Sequence, residues 1–274
     1  MILFSINIQT CNQDRICVAA CPAGIIEMRK GEYPTPVTGA EDICIRCGHC
    51  VTVCPTGSLS HSEMPMEECP PVQKELDLSL EQSEQFLRAR RSIRTYKEKS
   101  VPKNELFKLI ELARYAPTGH NSQSVEWLVL GDRDELTKLS EVIVNWMRWM
   151  LENMSEAALS LQMDRAVRGW EKGKDTVLRG APVVIVAHAG KKDVFAPSSS
   201  TITLSYLELA ATSLGLGSCW AGYFNTAATT FPPMTEALSL PEGHQCLGSM
   251  MVGYPKFKYH RLPLRKSPKI TWRL

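Results

Sequence analysis

The sequence lacks the apolar run of about 20 residues that a transmembrane helix needs. The most apolar long stretch, residues 143–161, is interrupted by Arg148, Glu152 and Glu156, so we expect no association with a membrane. The N-terminal residues MILFSINIQTC have no basic segment before their short apolar run, and no secretory leader is therefore expected. The net charge is only +2, which argues against a general nucleic-acid-binding protein.

Cysteine is scarce over most of the chain, where only Cys219 and Cys246 follow residue 69. The other eight of the ten cysteines lie within the first 69 residues. Disulfides of an extracellular protein would connect most of the chain, whereas a cluster at one end favours metal ligation in a reducing compartment. We therefore predict a metal-binding segment and a cytoplasmic location. Cys219 and Cys246 are expected to be small buried residues, and Cys69 a free thiol.

The composition divides the chain into three segments. Residues 1–60 are rich in cysteine and poor in long periodic patterns. Residues 61–82 carry three prolines and many acidic residues, which is typical of a linker. Residues 83–274 contain helical patterns such as Pro102–Ala116 and an apolar, β-branched run at Ala181–Ala189, which predicts a buried strand. The third segment is thus predicted to form a larger domain that contains both helices and strands.

A specific cysteine motif ends the first segment: Cys44-x2-Cys47-x2-Cys50-x3-Cys54-Pro55. It resembles the motif of bacterial two-cluster ferredoxins, in which three close thiolates hold one cluster and the fourth cysteine is directed to the other. A zinc site would more often show two separated cysteine pairs. His49, inside this spacing, is not assigned as a ligand, and His61 is expected to face solvent.

A second copy of the motif precedes it, with one departure: Cys11-x2-Asp14-x2-Cys17-x3-Cys21-Pro22. The ferredoxin resemblance implies a small ferredoxin-like domain with crossed ligand sets. A complete 4Fe–4S cluster would be held by Cys21, Cys44, Cys47 and Cys50. The other cluster would be held by Cys11, Asp14, Cys17 and Cys54.

Three interpretations of Asp14 remain open at this stage. The carboxylate binds the fourth iron through oxygen, in which case this iron has a harder ligand and exchanges more readily. Alternatively, the site holds a 3Fe–4S cluster. In the third interpretation the first cluster is absent, although this would leave Cys54 without a role.

An arginine-rich segment opens the third part of the chain: Arg90-Arg91-Ser92-Ile93-Arg94. Arginine binds phosphate in a bidentate manner and keeps its charge at physiological pH, so this segment is a candidate anion site. Further motifs follow in order: 116–123 (APTGHNSQ), 214–222 (LGLGSCWAG), 253–255 (GYP) and 263–268 (PLRKSP). No glycine-rich loop of the Rossmann type is present, and so no separate nicotinamide domain is predicted.

These ordered motifs resemble the nitroreductase family of FMN enzymes, and the resemblance covers about residues 83–274. It implies an α+β fold with a mixed sheet flanked by helices. It also implies an intertwined homodimer with FMN at the interface.

The resemblance further implies which residues contact FMN. Arg90, Arg91, Ser92 and Arg94 would hold the phosphate and ribityl chain. Asn121 and Gln123 would form hydrogen bonds with the isoalloxazine edge. Pro117, which precedes them, is also a predicted FMN contact. Backbone groups around Gly222 would approach the ring, and Arg265 or Lys266 would return to the phosphate.

Together the segments predict an FMN-dependent oxidoreductase in which iron–sulfur clusters relay electrons to or from FMN. The predicted acceptor is a small organic molecule such as a nitroaromatic or a quinone, and the candidate donors are an external ferredoxin and NAD(P)H. An alternative is an electron-transfer or redox-sensing flavoprotein with a protein partner and no small substrate. A third is a specialised reduction such as dehalogenation. No catalytic residue is assigned; His120 and Tyr223 are candidate proton donors.

Overall fold

The computed structural model describes residues 2–274, and their contacts divide them into two units. The first unit runs up to Asp77 and includes His120–Ser122. The second comprises Leu78–Gly119 and Gln123–Leu274. The division after Asp77 falls inside the segment 61–82 that we predicted as a linker.

The first unit consists of short elements around a small core. Its strands are β1 (Phe4–Ile6), β2 (Ile26–Glu27), β3 (Thr35–Pro36) and β4 (Leu59–His61), and its helices are α1 (Ile16–Ala20), α2 (Ala40–Ile43) and α3 (His49–Thr52). Strand β1 pairs antiparallel with β4, and β2 pairs antiparallel with β3. The core is formed by Phe4, Cys17, Ile25, Ile26, Ala40, Val51 and Leu59. The core is small, and two cysteine-rich loops make up much of the rest of the unit.

The second unit is built from longer helices and a four-stranded sheet. Its helices are α4 (Leu80–Ala89), α5 (Lys103–Ala113), α6 (Arg133–Asn153), α7 (Ser155–Ser160), α8 (Met163–Glu171), α9 (Ala196–Ser213), α10 (Gly222–Thr230) and α11 (Pro232–Leu238). Its strands are β5 (Glu126–Leu130), β6 (Val183–Gly190), β7 (Gly217–Trp220) and β8 (His244–Gly253). None of the described helices combines the length and the apolar character needed to cross a bilayer.

The α+β class predicted from the sequence is confirmed, but the sheet within one chain is not mixed. The strand order is β5-β6-β8-β7, and each neighbouring pair among the described residues is antiparallel. Strands β6 and β7 run in the same direction, but they are not neighbours. Strand β8 lies between them and runs antiparallel to both. The prediction of a mixed sheet was therefore wrong for the strands of a single chain.

Both faces of this sheet are covered by helices, which explains the continuous apolar run in β6. Val184 and Val186 pack with helices α6, α8, α10 and α11 on one face. Val183, Ile185 and Ala187 pack with α5 and α9 on the other. Side chains alternate between the faces of a strand, so a strand buried on both sides carries apolar residues at every position.

Helix α4 leads directly into the arginine segment. Ser79 caps the helix: its hydroxyl accepts from the Gln82 amide, and the Gln82 side chain accepts from the Ser79 amide. This reciprocal arrangement is a capping box. Helix α4 ends at Ala89, and Arg90 leaves it with an extended backbone, ψ 130°.

Candidate functional site

The two cysteine-rich loops of the first unit have the same backbone conformation. In the first loop Gln13 and Arg15 have positive φ angles of 57° and 66°. In the second, Arg46 and Gly48 have φ angles of 52° and 74° at the two equivalent positions. Positive φ is uncommon outside glycine, so its recurrence at matching positions shows that the loops share one conformation.

The equivalence places Asp14 at the position that Cys47 occupies in the second loop. The matching pairs are Cys11 and Cys44, Asp14 and Cys47, Cys17 and Cys50, and Cys21 and Cys54, each 33 residues apart. In three of these four pairs both residues are cysteines, and in the fourth Asp14 replaces the cysteine. The replacement is thus a local change in an otherwise repeated structure.

Each loop lines a small pocket together with one cysteine from the other motif. One pocket is lined by residues that include Cys11, Asp14, Cys17 and Cys54. The other is lined by residues that include Cys21, Cys44, Cys47 and Cys50. These are the two crossed sets that the ferredoxin resemblance implied. Sulfur-rich pockets suit the iron of a cluster, so the donor sets fit such groups, and the individual ligand roles remain a proposal.

Asp14 differs from the cysteines in its exposure and its hydrogen bonding. It is exposed, and its Oδ1 accepts from the Ile16 amide at 2.9 Å, at the start of α1. This bond holds the carboxylate against the loop and leaves Oδ2 as the oxygen that could face an iron. A carboxylate oxygen is a harder ligand than a thiolate, which would make an iron held here more exchangeable.

The thiols in these pockets have unequal acidities. Burial, with the nearby Cys21, raises the pKa of Cys50 to about 11. Burial also raises the pKa of Cys17. Burial raises that of Cys54 too, but hydrogen bonds from the Thr56 hydroxyl and from backbone amides, including Ser58 at 3.2 Å, outweigh it and lower the pKa overall. Positive charge from bound iron would be needed to hold the buried thiols as thiolates.

His61 was expected to face solvent, and this prediction was wrong. The side chain is only 5% exposed, because it ends β4 opposite Phe4 and lines the second pocket. Its Nδ1 accepts from the Glu63 amide at 3.1 Å, and so Nε2 carries the proton of the neutral ring. Nε2 lies 3.7 Å from Sγ of Cys44, to which it can donate.

Replacing His61 with phenylalanine is expected to lower the reduction potential of the cluster at the second pocket. A hydrogen bond to a cluster sulfur favours the reduced, more negative state. If the hydrogen bond favours the reduced cluster by about 1 kcal/mol, its loss lowers the reduction potential by roughly 40 mV. For a one-electron couple, about 59 mV corresponds to a tenfold change in the equilibrium constant. An anaerobic redox titration followed by EPR measures the shift. His49→Phe is the matched control, because His49 lines the same pocket but is exposed, and its Nδ1 lies 3.4 Å from the Cys47 carbonyl oxygen rather than next to a cysteine sulfur. Equal shifts in both variants would contradict the assignment.

In the second unit, the arginine segment is held by contacts to distant parts of the chain. Arg90 donates to Oε1 of Glu208 on α9 at 2.9 Å and to the Ser92 hydroxyl at 3.3 Å. The Ile93 amide donates to the Ser218 carbonyl at 2.9 Å, which fixes the segment along β7. Gly217 permits this approach, because a Cβ there would lie 2.3 Å from the Ile93 side chain.

A concentration of positive charge surrounds this segment. Burial raises the pKa of the Cys219 thiol, and the charges of Arg94 and Arg179 and a hydrogen bond from Ser92 partly oppose this. Arg94 and Arg179 therefore both lie close enough to Cys219, in β7, for their charges to act on its thiol. Arg91 lies over the ring of Tyr259, 5.6 Å from its centre. Guanidinium groups beside a hydroxyl are donors that suit a phosphate, so these residues fit the anionic end of FMN.

The segment that follows Pro117 has a strained backbone. His120, Asn121 and Gln123 have φ angles of 51°, 53° and 47°. Non-glycine residues in this region are a form of strain that proteins often retain at binding sites. The Gln123 amide donates to the Thr118 hydroxyl at 3.1 Å, and the Gln123 side chain is exposed.

Asn121 belongs by its contacts to the first unit. Its Nδ2 donates to the carbonyl oxygens of Ile45 and Arg46 at 3.2 and 3.0 Å. Its Oδ1 could still accept a hydrogen bond. The predicted contact with the isoalloxazine ring stays a prediction.

The remaining predicted contacts are exposed in the structure. Gly222 begins α10, and a Cβ at this residue would meet nothing within 4 Å. Arg265 and Lys266 lie in the irregular C-terminal segment after Pro255.

Of the candidate proton donors, Tyr223 donates its hydroxyl to the Leu161 carbonyl at 2.7 Å, and burial raises its pKa. Glu208 and Arg179 were not predicted as site residues, because neither belongs to a local motif.

Comparison with known protein families supports both halves of this description. The model of the nitroreductase family matches residues 87–254, and that of a 4Fe-4S dicluster domain matches residues 10–58. The family match and the α+β fold thus define an FMN-dependent oxidoreductase. The chain belongs to the nitroreductase family, and it carries a 4Fe–4S dicluster domain at its N-terminal end.

Individual relatives each match about two thirds of the chain. A protein of Archaeoglobus fulgidus named as an NADH dehydrogenase/NAD(P)H nitroreductase is 28% identical over 177 residues, which is 65% of this chain and 87% of that protein. An iodotyrosine deiodinase of Thermotoga neapolitana is 25% identical, over 63% of this chain and 89% of its own length. The crystal structure of a Bacteroides fragilis nitroreductase with bound FMN has a TM-score of 0.56 and 24% identity, over 68% of this chain and 96% of that one. This last likeness shows the fold alone.

Proposed function

We propose that this chain couples carriers of single electrons to the two-electron reduction of a small organic molecule. Bound FMN exchanges one or two electrons or a hydride, whereas iron–sulfur clusters exchange electrons one at a time. The observation that carries the proposal is that two pockets, each lined by the four residues of one crossed set, occur in one chain with a nitroreductase domain. Electron relay between clusters and flavin is the most direct reason for this combination.

The protein's own contribution is to position the cofactors. Arg90, Ser92 and Arg94 would hold the phosphate end of FMN, with Glu208 fixing the direction of the Arg90 guanidinium. Arg179 would add positive charge beside Arg94. A clamp of this kind orients a bound group, and orientation is a large part of catalysis by cofactor enzymes.

The acceptor and donor are proposed at the level of chemical class. A nitroaromatic or quinone-like acceptor suits a flavin that delivers electrons to flat, electron-poor molecules. NAD(P)H is favoured as a donor by the name of the Archaeoglobus relative, and a reduced ferredoxin by the cluster unit itself. The deiodinase relative makes reductive dehalogenation a second candidate reaction. The alternative of an electron-transfer or redox-sensing protein without a small substrate predicts that no organic acceptor is turned over.

We also propose that the working form is a homodimer in a reducing, cytoplasmic compartment. The C-terminal segment presents large apolar side chains to solvent, which is costly unless a further surface covers them. These are Phe257, Tyr259, Leu262, Leu264, Ile270, Trp272 and Leu274. A second copy of the chain would provide that surface.

An anaerobic titration of the reconstituted protein tests the relay. NADH, NADPH and reduced ferredoxin are added separately, and the flavin and cluster absorption bands are followed with time. We expect at least one donor to reduce both centres, and we expect Cys47→Ser to break the exchange while Cys69→Ser, outside both pockets, leaves it unchanged. Reduction of one centre that never passes to the other, with any donor, would refute the relay. Turnover of nitroaromatics and quinones in the same samples distinguishes the enzyme from the electron-transfer alternative.

A further inference from the structure

Three side chains of ligand type converge at one end of the sheet in the second unit, and neither proposed cofactor site uses them. Glu126 is the first residue of β5, His188 lies in β6, and His244 is the first residue of β8. Glu126 and His188 are directly opposite each other across the β5–β6 pair, so their side chains share one face.

An irregularity in the sheet brings His244 to the same place. Up to Ala187 the β6–β8 register is regular, but His188 pairs with Cys246 and leaves Leu247 without a partner in β6. This is the geometry of a β-bulge, which redirects the side chains that follow it. His244 lies two residues from Cys246 and therefore projects on the same face as the residue opposite His188.

The distances among the three side chains suit one ion. The Nδ1 atoms of His188 and His244 are 3.0 Å apart, and the other ring nitrogen of His244, Nε2, lies 3.9 Å from Oε1 of Glu126. A single ion would bind only one of these two His244 nitrogens. One ligand atom from each residue can be chosen so that all three lie within 4.8 Å of one another. Two imidazole lone pairs at such a separation repel unless a proton or a cation lies between them. With metal–nitrogen bonds of about 2.05 Å, a separation of 3.0 Å gives an N–metal–N angle of about 94°.

The burial and the charge of the group suit a cation. His188 is 4% exposed, so little water reaches its ring. Glu126 is exposed and supplies a negative charge at the open side of the group. The available donor set is therefore two imidazoles and one carboxylate.

We propose that Glu126, His188 and His244 form a binding site for one divalent transition-metal ion, with Zn²⁺ as the best match. Two histidines and a glutamate are a known zinc donor set, which leaves a fourth position for water. An ion here would join β5, β6 and β8 at one end of the sheet. The site is made of residues other than those assigned to FMN and the clusters.

The test uses the full chain with FMN and reconstituted clusters, so that the cluster cysteines are already occupied. The protein is dialysed anaerobically against ZnCl₂, and bound zinc is counted by metal analysis. We expect one zinc per chain, with nitrogen and oxygen neighbours at about 2.0–2.1 Å in the zinc X-ray absorption spectrum and no sulfur at about 2.3 Å. His244→Gln and Glu126→Gln are expected to weaken binding at least roughly tenfold, since even indirect ligand contacts are worth about that much. His260→Gln is the matched control, because His260 is exposed and outside the group.

The folded state of each variant is followed by thermal unfolding with and without zinc. Zinc is expected to raise the unfolding temperature of the wild type and the His260→Gln variant, and not that of the two ligand variants. His188→Ala is avoided as the primary variant because that residue is buried and could affect folding directly. Equal zinc content in wild type and ligand variants, or sulfur in the absorption spectrum, would overturn the proposal.

Discussion

Replacement of Asp14 by cysteine is expected to turn an iron–sulfur cluster that loses iron to a chelator into one that retains it. The loop around Asp14 has the same backbone conformation as the loop around Cys47, so a thiol at this position would point at the first pocket as Cys47 points at the second. A thiolate holds cluster iron more firmly than a carboxylate oxygen does. After anaerobic chelation, Asp14→Cys is expected to keep about eight iron atoms per chain, as two 4Fe–4S clusters require, and the wild type fewer. Iron analysis and EPR of the reduced and oxidised proteins provide the measurement.

The repeat in the structure supplies a reciprocal control. Cys47→Asp introduces a carboxylate at the equivalent position of the other loop and should make the second cluster lose iron as the first one does. If Asp14→Cys changes neither the iron content nor the EPR spectrum, Asp14 is not a ligand. A wild-type protein that holds only four iron atoms before chelation would instead show that the first cluster is absent.

Replacement of Arg94 by alanine is expected to cause the largest loss of FMN affinity among the arginine variants. Among the ion pairs of the described residues, Arg90 is bound to Glu208, whereas Arg94 has no such carboxylate partner. Its full charge is therefore available to a phosphate, and Arg179 adds to it nearby. A hydrogen bond to a charged group contributes about 1.5–3 kcal/mol, so the dissociation constant should rise roughly 10- to 150-fold. The dissociation constant is measured from the quenching of FMN fluorescence on titration with apoprotein.

Two controls accompany this variant, one at Arg88 in helix α4 and one at Arg94 itself. Arg88→Ala removes an exposed arginine that is paired with Glu84 on the surface of α4, and FMN affinity should not change. Arg94→Lys keeps the charge but loses the planar donor pair, and an intermediate affinity is expected. An equal loss of FMN affinity for Arg88→Ala and Arg94→Ala would show that the effect is a general change of surface charge. The assignment of Arg94 to the FMN phosphate would then be wrong.

The sequence by itself determined the parts of the molecule that depend on local spacing. The four motif positions of each loop lie within 11 residues, and this spacing carries the resemblance to two-cluster ferredoxins. That resemblance implied the two crossed sets, and the members of each set line one pocket. The apolar run of β6 and the spacing of α5 likewise predicted elements whose faces are buried in the way expected. The order of the motifs after residue 83 was enough to indicate the family.

Only the tertiary structure decided which distant residues meet. Glu208 lies 118 residues from Arg90, and no local pattern marks it as the partner of that guanidinium. His61 is buried because β4 pairs with β1, and His188 meets His244 because one residue of β8 is skipped in the register. A shift of one residue in strand pairing moves every side chain to the opposite face, and this shift has no signature in the composition of either strand. Strand order and register are set by packing of the whole domain, so they had to be observed.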